Sequence, residues 1–159
     1  MTKSDKDLIF KVGIAAGVYL LVVQPILKKI GVLKTQADIT VENQQTLPNN
    51  ANPFSPVFYK TGGRGVLLLS VGAAQDMARK LYDAFGFFSD NEAQVFAIFR
   101  ALKTQSQVSF LSEQFKNLYK QDLLQFLSKG KGVMPQAGLN NTELNQVINI
   151  VNNLPKFKV

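Results

Sequence analysis

The chain contains no cysteine and no histidine. Those absences exclude disulfides, thiolate and imidazole metal sites, Cys or Ser–His nucleophilic machinery, and histidine pH switches. Charge is also scarce: 18% of the 159 residues are charged against 46% hydrophobic, the opposite of the balance that keeps a chain disordered. Acids are the rarer sign, 11 against 18 Lys and Arg, and the resulting +7 favours anionic neighbours such as lipid headgroups or nucleic acid. The length suits one modest domain with an appendage, and is too short for two full domains.

Against that background one segment stands out. Leu8 to Leu27 reads LIFKVGIAAGVYLLVVQPIL, 20 residues with Lys11 as the single charge. As a helix it would span roughly 30 Å, the thickness of a bilayer's hydrocarbon core. The residues expected to meet lipid are Leu8, Ile9, Phe10, Val12, Ile14, Val18, Tyr19, Leu20, Leu21, Val22, Val23, Ile26 and Leu27. Lys11 lies close enough to one end to snorkel, and Pro25 comes late enough to leave most of the helix straight. Competing readings are a cleaved signal sequence, for which no A-x-A-like site precedes the following lysines, and a core or interfacial helix. Lys3, Lys6 and Lys11 on one flank balance Lys28, Lys29 and Lys34 on the other, so the positive-inside rule gives no orientation. Gly13 and Gly17 form a G-x-x-x-G through which a second helix, including that of another copy, could approach closely.

Thr35 to Lys60 is rich in Asn and Gln and carries Pro48, Pro53 and Pro56. Proline lacks an amide donor and restricts the residue before it, so the expectation is an extended linker over residues 35–65, with Asp38–Glu42 as one short extended piece. It is read either as a plain tether or as a peptide lying along a partner's surface. Phe54, Phe58 and Tyr59 are the candidate partner contacts, because a solvated spacer has little use for three aromatics. Thr61–Gly65 (TGGRG) lacks the lysine and hydroxyl of a phosphate-binding loop and reads as a hinge.

From about residue 66 the pattern becomes helical. Ala74, Met77, Ala78, Leu81 and Phe85 mark one face of a first helix, closed by Gly86. Ser89 to Glu92 and Thr104 to Gln107 read as capping boxes opening a second and a third helix. The second carries Val95, Phe96, Ile98, Phe99 and Leu102; the third carries Val108, Leu111, Phe115 and Leu118. A short fourth helix covers Asp122–Leu127. A fifth, capped by Asn140 or Asn141, bears Leu144, Val147, Ile148, Val151 and Leu154 and stops at Pro155. The predicted class is all-α: a membrane anchor over residues 1–34, the linker, and a helical bundle over 66–159.

The order of these helices, with Asp90-Asn91-Glu92-Ala93 through Phe99, Lys103-Thr104-Gln105-Ser106-Gln107, Phe115-Lys116-Asn117-Leu118-Tyr119 and Asp122-Leu123, resembles a single annexin-type repeat. The resemblance covers about Ala73–Leu154, half of the chain, and implies the repeat's five-helix fold. In annexins a G-x-G-T loop and a later acidic residue hold calcium. Here the matching loop is Gly86-Phe87-Phe88-Ser89 and the later region is Ser128-Lys129-Gly130-Lys131, lysines where a carboxylate belongs. Calcium needs several oxygen ligands, so neither it nor any other metal or cofactor is expected.

Chemistry is hard to find. Asp90 and Glu92 suit the start of a helix, and Glu113 as a lone general acid, of the kind lytic transglycosylases use, lacks supporting groove residues. Lys129, Lys131, Lys156 and Lys158 are the nearest approach to a basic patch and the candidates for contact with anionic lipid or nucleic acid. The expected function is non-enzymatic: a single-pass membrane protein whose partners are the lipid bilayer and another protein. A structural protein of a lipid-containing phage, linking an internal membrane to the shell, fits this economy. The alternative is a bacterial envelope protein that binds an anionic surface through its lysines.

Overall fold

The computed structural model describes residues 36–63, 66–86, 91–131 and 138–157. The apolar segment Leu8–Leu27, its G-x-x-x-G, Ser89 and Lys158 lie outside the described residues. No helix among those described is long and apolar enough to cross a membrane. Contacts divide the chain into Met1–Thr35 and Gln36–Val159, and the second unit is built around a hydrophobic core of its own.

The described residues form helices and no strand. In chain order these are α1 (Gln36–Gln45), a 3-10 segment (Phe58–Gly62), α2 (Val71–Asp83), α3 (Glu92–Ala101), α4 (Gln105–Tyr119), α5 (Leu123–Lys129) and α6 (Asn141–Asn152). Each start from α2 onwards has a side chain that takes an otherwise unpaired amide. Ser70 Oγ accepts from Ala73 N–H, Thr104 Oγ1 from Gln107 N–H, and Asp122 Oδ1 from Gln125 N–H. Asn140 makes a full capping box with Glu143, whose carboxylate accepts from the Asn140 amide at 2.9 Å. α3 is capped by Asn91, which accepts from Gln94 N–H at 3.0 Å; the Ser89 of the box expected here lies outside the described residues. α5 ends on Gly130, whose φ of 62° is costly for any side chain bearing a Cβ.

α4 is the central element. It packs on α2, the 3-10 segment, α5 and α6, while α3 meets α6 and α1 lies against α5 and α6. The expected face of α4 is buried through Val108, Leu111 and Phe115, but Leu118 is 37% exposed. Burial continues around the other side, through Gln105, Ser106, Gln107, Ser109, Ser112 and Gln114. Buried polar groups must find partners. Ser112 Oγ donates to the Val108 carbonyl, and the Thr104 and Ser106 hydroxyls are 2.8 Å apart. The first amides of α4 go elsewhere in the chain: Gln105 N–H donates to the Pro155 carbonyl (2.9 Å) and Ser106 N–H to that of Lys156 (3.1 Å). The C-terminal tail therefore closes the N-terminus of the central helix.

Residues 36–62 correct the expected extended linker. Gln36–Gln45 is a ten-residue helix where Asp38–Glu42 was expected to be extended. Its propensity is modest, and it is held by tertiary contact: Val41 is buried in the main core with Leu127, Leu139 and Leu144, and the Thr40 hydroxyl lies 3.1 Å from Asn141 Oδ1. The prolines do stop this helix. Asn52 then ties the turn together, donating to the Gln44 carbonyl and accepting from Phe54 N–H, both at 2.9 Å. Phe54 enters the core beside Phe99, with ring centroids 6.1 Å apart. The segment is a strap belonging to the domain, so the domain begins near residue 36 and not at residue 66.

Candidate functional site

The strap crosses α4 at a cluster of polar side chains. Ser109 is fully buried at this crossing; its Oγ donates to the Ser55 carbonyl at 2.6 Å and accepts from Tyr59 N–H at 3.1 Å. One turn further along α4, Glu113 receives two donors. Tyr59 OH donates to its Oε2 and Lys60 Nζ to its Oε1, each at 2.9 Å. Burial, then the Glu113 hydrogen bond and charge, push the Tyr59 phenol above its ordinary value of 10.0. The same carboxylate raises the Lys60 ammonium. Tyr59 also meets Phe110 edge-on, with centroids 5.4 Å apart. Both Glu113 oxygens are thus engaged in fastening the strap.

Of the three candidate partner contacts, Phe54 and Phe58 are 2% and 0% exposed, and only Tyr59 reaches the surface in part. Phe58 stacks on Phe157 at 5.2 Å and 11°. A Cβ built at Gly62 would collide with the Phe157 ring, so the tail and strap meet too closely for any residue but glycine there. Phe54 and Phe58 serve the chain's own interior, which corrects their assignment to a partner, while Tyr59 stays partly exposed.

Among the described residues, the candidates Lys129, Lys131 and Lys156 do not converge on one patch. Lys129 is exposed at the end of α5, whose Leu127 carbonyl is tied to Leu139 N–H at the start of α6. Lys156 is exposed beyond the far end of α6, a 12-residue helix that is roughly 18 Å long. Lys131 is occupied differently: its Nζ sits 4.4 Å from the centre of the Tyr82 ring. Tyr82 in turn stacks on Tyr119 at 4.0 Å and 3°. Burial, and after it the Asp83 charge, raise the Tyr119 phenol. The anion-binding capacity of the α4 N-terminus is spent on the tail carbonyls. Among the described residues no group of three or more Asp or Glu is placed to hold a metal ion.

One surface feature went unread in the sequence. A shallow, open groove follows the outer side of α6, lined by Asn141, Thr142, Asn145, Gln146, Asn149, Ile150 and Asn153. Its signal was available: four asparagines spaced four residues apart, which lie along one ridge of a helix. No protein family, curated protein or solved structure matches the chain.

Proposed function

We propose that the chain is a non-enzymatic, single-pass membrane protein that holds a folded helical domain at a bilayer, where it contacts another protein of a shell or envelope. The observation carrying this reading is the 20-residue apolar run Leu8–Leu27, joined almost directly to a domain that begins near residue 36. With the strap folded into the domain, the spacer between the apolar run and the first helix shrinks to about eight residues, at most ~29 Å if fully extended. A spacer that short suits a component bridging a membrane to a layer lying directly upon it. The phage membrane-to-shell role is the form of this reading that fits such economy. Five helices in succession over residues 71–152 support an annexin-like repeat as the fold of that part.

Attachment to an anionic surface through the lysines is the weaker reading, since Lys129 and Lys156 stand at opposite ends of α6. Alkaline carbonate extraction tests the main proposal. The full chain is expected to stay in the membrane pellet, and a chain lacking residues 1–35 to appear in the supernatant. Release of the full chain would overturn the spanning anchor.

A further inference from the structure

We propose that the asparagine ridge of α6 seats a second copy of this chain, the two α6 helices crossing antiparallel about a two-fold axis. The groove residues Asn141, Asn145, Asn149 and Asn153 are spaced by four, and a row with that spacing is one of the ridges by which helices pack. When two such ridges interlock, the helices cross at about −50°. The row reads the same in both directions. Reversal about a two-fold axis places Asn141 opposite Asn153 and Asn145 opposite Asn149.

The chemistry of the groove selects this occupant over others. None of its seven lining residues is charged or aromatic, although the chain as a whole is +7. An anionic polymer would meet no cation there, and a sugar would meet no ring to stack on. A carboxamide both donates and accepts, so a row of amides is complementary to itself, and the lack of charge removes the repulsion that two like copies would otherwise feel. Glu143, the one acid of α6, is turned to its own helix start by the bond to the Asn140 amide. Asn145 Nδ2 and the Thr40 hydroxyl converge on Asn141 Oδ1, holding that end of the row in place. Asn149 and Asn153 are exposed and make no side-chain hydrogen bond to another described residue.

A single helix face is much smaller than the ~800 Å² per partner of a stable interface. The pairing is therefore weak in free solution and fills where chains share a bilayer, which raises their effective concentration. In that respect it rests on the membrane reading above.

The absence of native cysteine makes the test direct. Full-length Asn145→Cys and Asn149→Cys chains, distinguishable by tag, are reconstituted together in phosphatidylcholine vesicles and oxidised mildly; flotation reports incorporation separately. The mixed Asn145→Cys/Asn149→Cys disulfide should exceed either like-with-like product several-fold, and should exceed that of Gln125→Cys, an exposed control on α5. Cross-linking no faster than the control would overturn the proposal. So would dominance of like-with-like products, which signals a parallel register. If the chain fails to float, the membrane reading falls; the same cysteine pairs at high protein concentration in solution then decide the pairing by the same criteria.

Discussion

Phe58→Ala separates a strap that is part of the domain from a tether that merely passes over it. Phe58 is 0% exposed and stacks on Phe157, beside the point where Ser109 receives the strap backbone. Truncating a fully buried phenylalanine typically costs about 3–5 kcal/mol, combining lost transfer energy with the cavity left behind. Here the lower part of that range applies, because Phe157 is only half-buried and can settle into the space. A loss of about 3 kcal/mol is a large share of the ~5–15 kcal/mol that stabilises a domain, and for roughly 120 residues it lowers Tm by about 12 °C. The assay is thermal melting of the full chain followed by the near-ultraviolet circular dichroism of its tyrosines. The stacked Tyr82 and Tyr119 report on the helical domain whatever the apolar segment does. Leu67→Ala, at a side chain 50% exposed, serves as control and should shift Tm very little. A Phe58→Ala shift no larger than the control's would refute the reasoning and restore residues 48–62 as a detachable tether.

Ser109→Ala should cost about 1–3 kcal/mol in urea denaturation, since it orphans the Ser55 carbonyl and the Tyr59 amide; an unchanged midpoint would remove the crossing point as a stabilising contact. Asn140→Ala should cost about 1 kcal/mol by breaking the capping box of α6, with amide exchange rising first in that helix's opening turn. Stability should also fall in alkali. Tyr59, Lys60 and Tyr119 all hold their protons more tightly when folded, so the folded chain retains protons that the unfolded chain releases. Their contribution is complete below the ordinary tyrosine value of 10.0 and is lost as pH rises through the higher folded values. Urea midpoints measured across that range should decline less steeply for Tyr59→Phe than for the parent chain, and an identical slope would discount the Tyr59–Glu113 contact.

The helices from α2 onwards were legible because their apolar residues recur at helical spacing and because Thr104, Asp122 and Asn140 are cap residues in the right places. α1 was not legible. Its sequence, QADITVENQQ, offers one residue to the core, Val41, and its β-branched and amide side chains resemble those of a linker. Contacts with α5 and α6, distant in sequence, decide its conformation. The strap was misread for a related reason. Proline argues correctly against a long helix but says nothing about whether the chain departs into solvent or doubles back, and Phe54 and Phe58 suit either course. The burial of the first two turns of α4 on all sides had a sequence signal in the charge-free run from Thr104 to Ser112. Serines and glutamines there look solvated until a strap and a tail are present to take their hydrogen bonds. Glu113 showed the opposite difficulty: an isolated acid in sequence acquires two partners some fifty residues away only once the strap has closed.

The carbonyls of Pro155 and Lys156 on the first amides of α4, with Phe157 resting against Phe58, bear on how the protein is made. Synthesis proceeds from the N-terminus, so the apolar run leaves the ribosome long before the residues that seal the central helix. Until residue 157 has emerged, the start of α4 lacks its acceptors and the strap lacks the ring it leans on. The domain can therefore shut only after residue 157 has been made, with the central helix waiting on the tail.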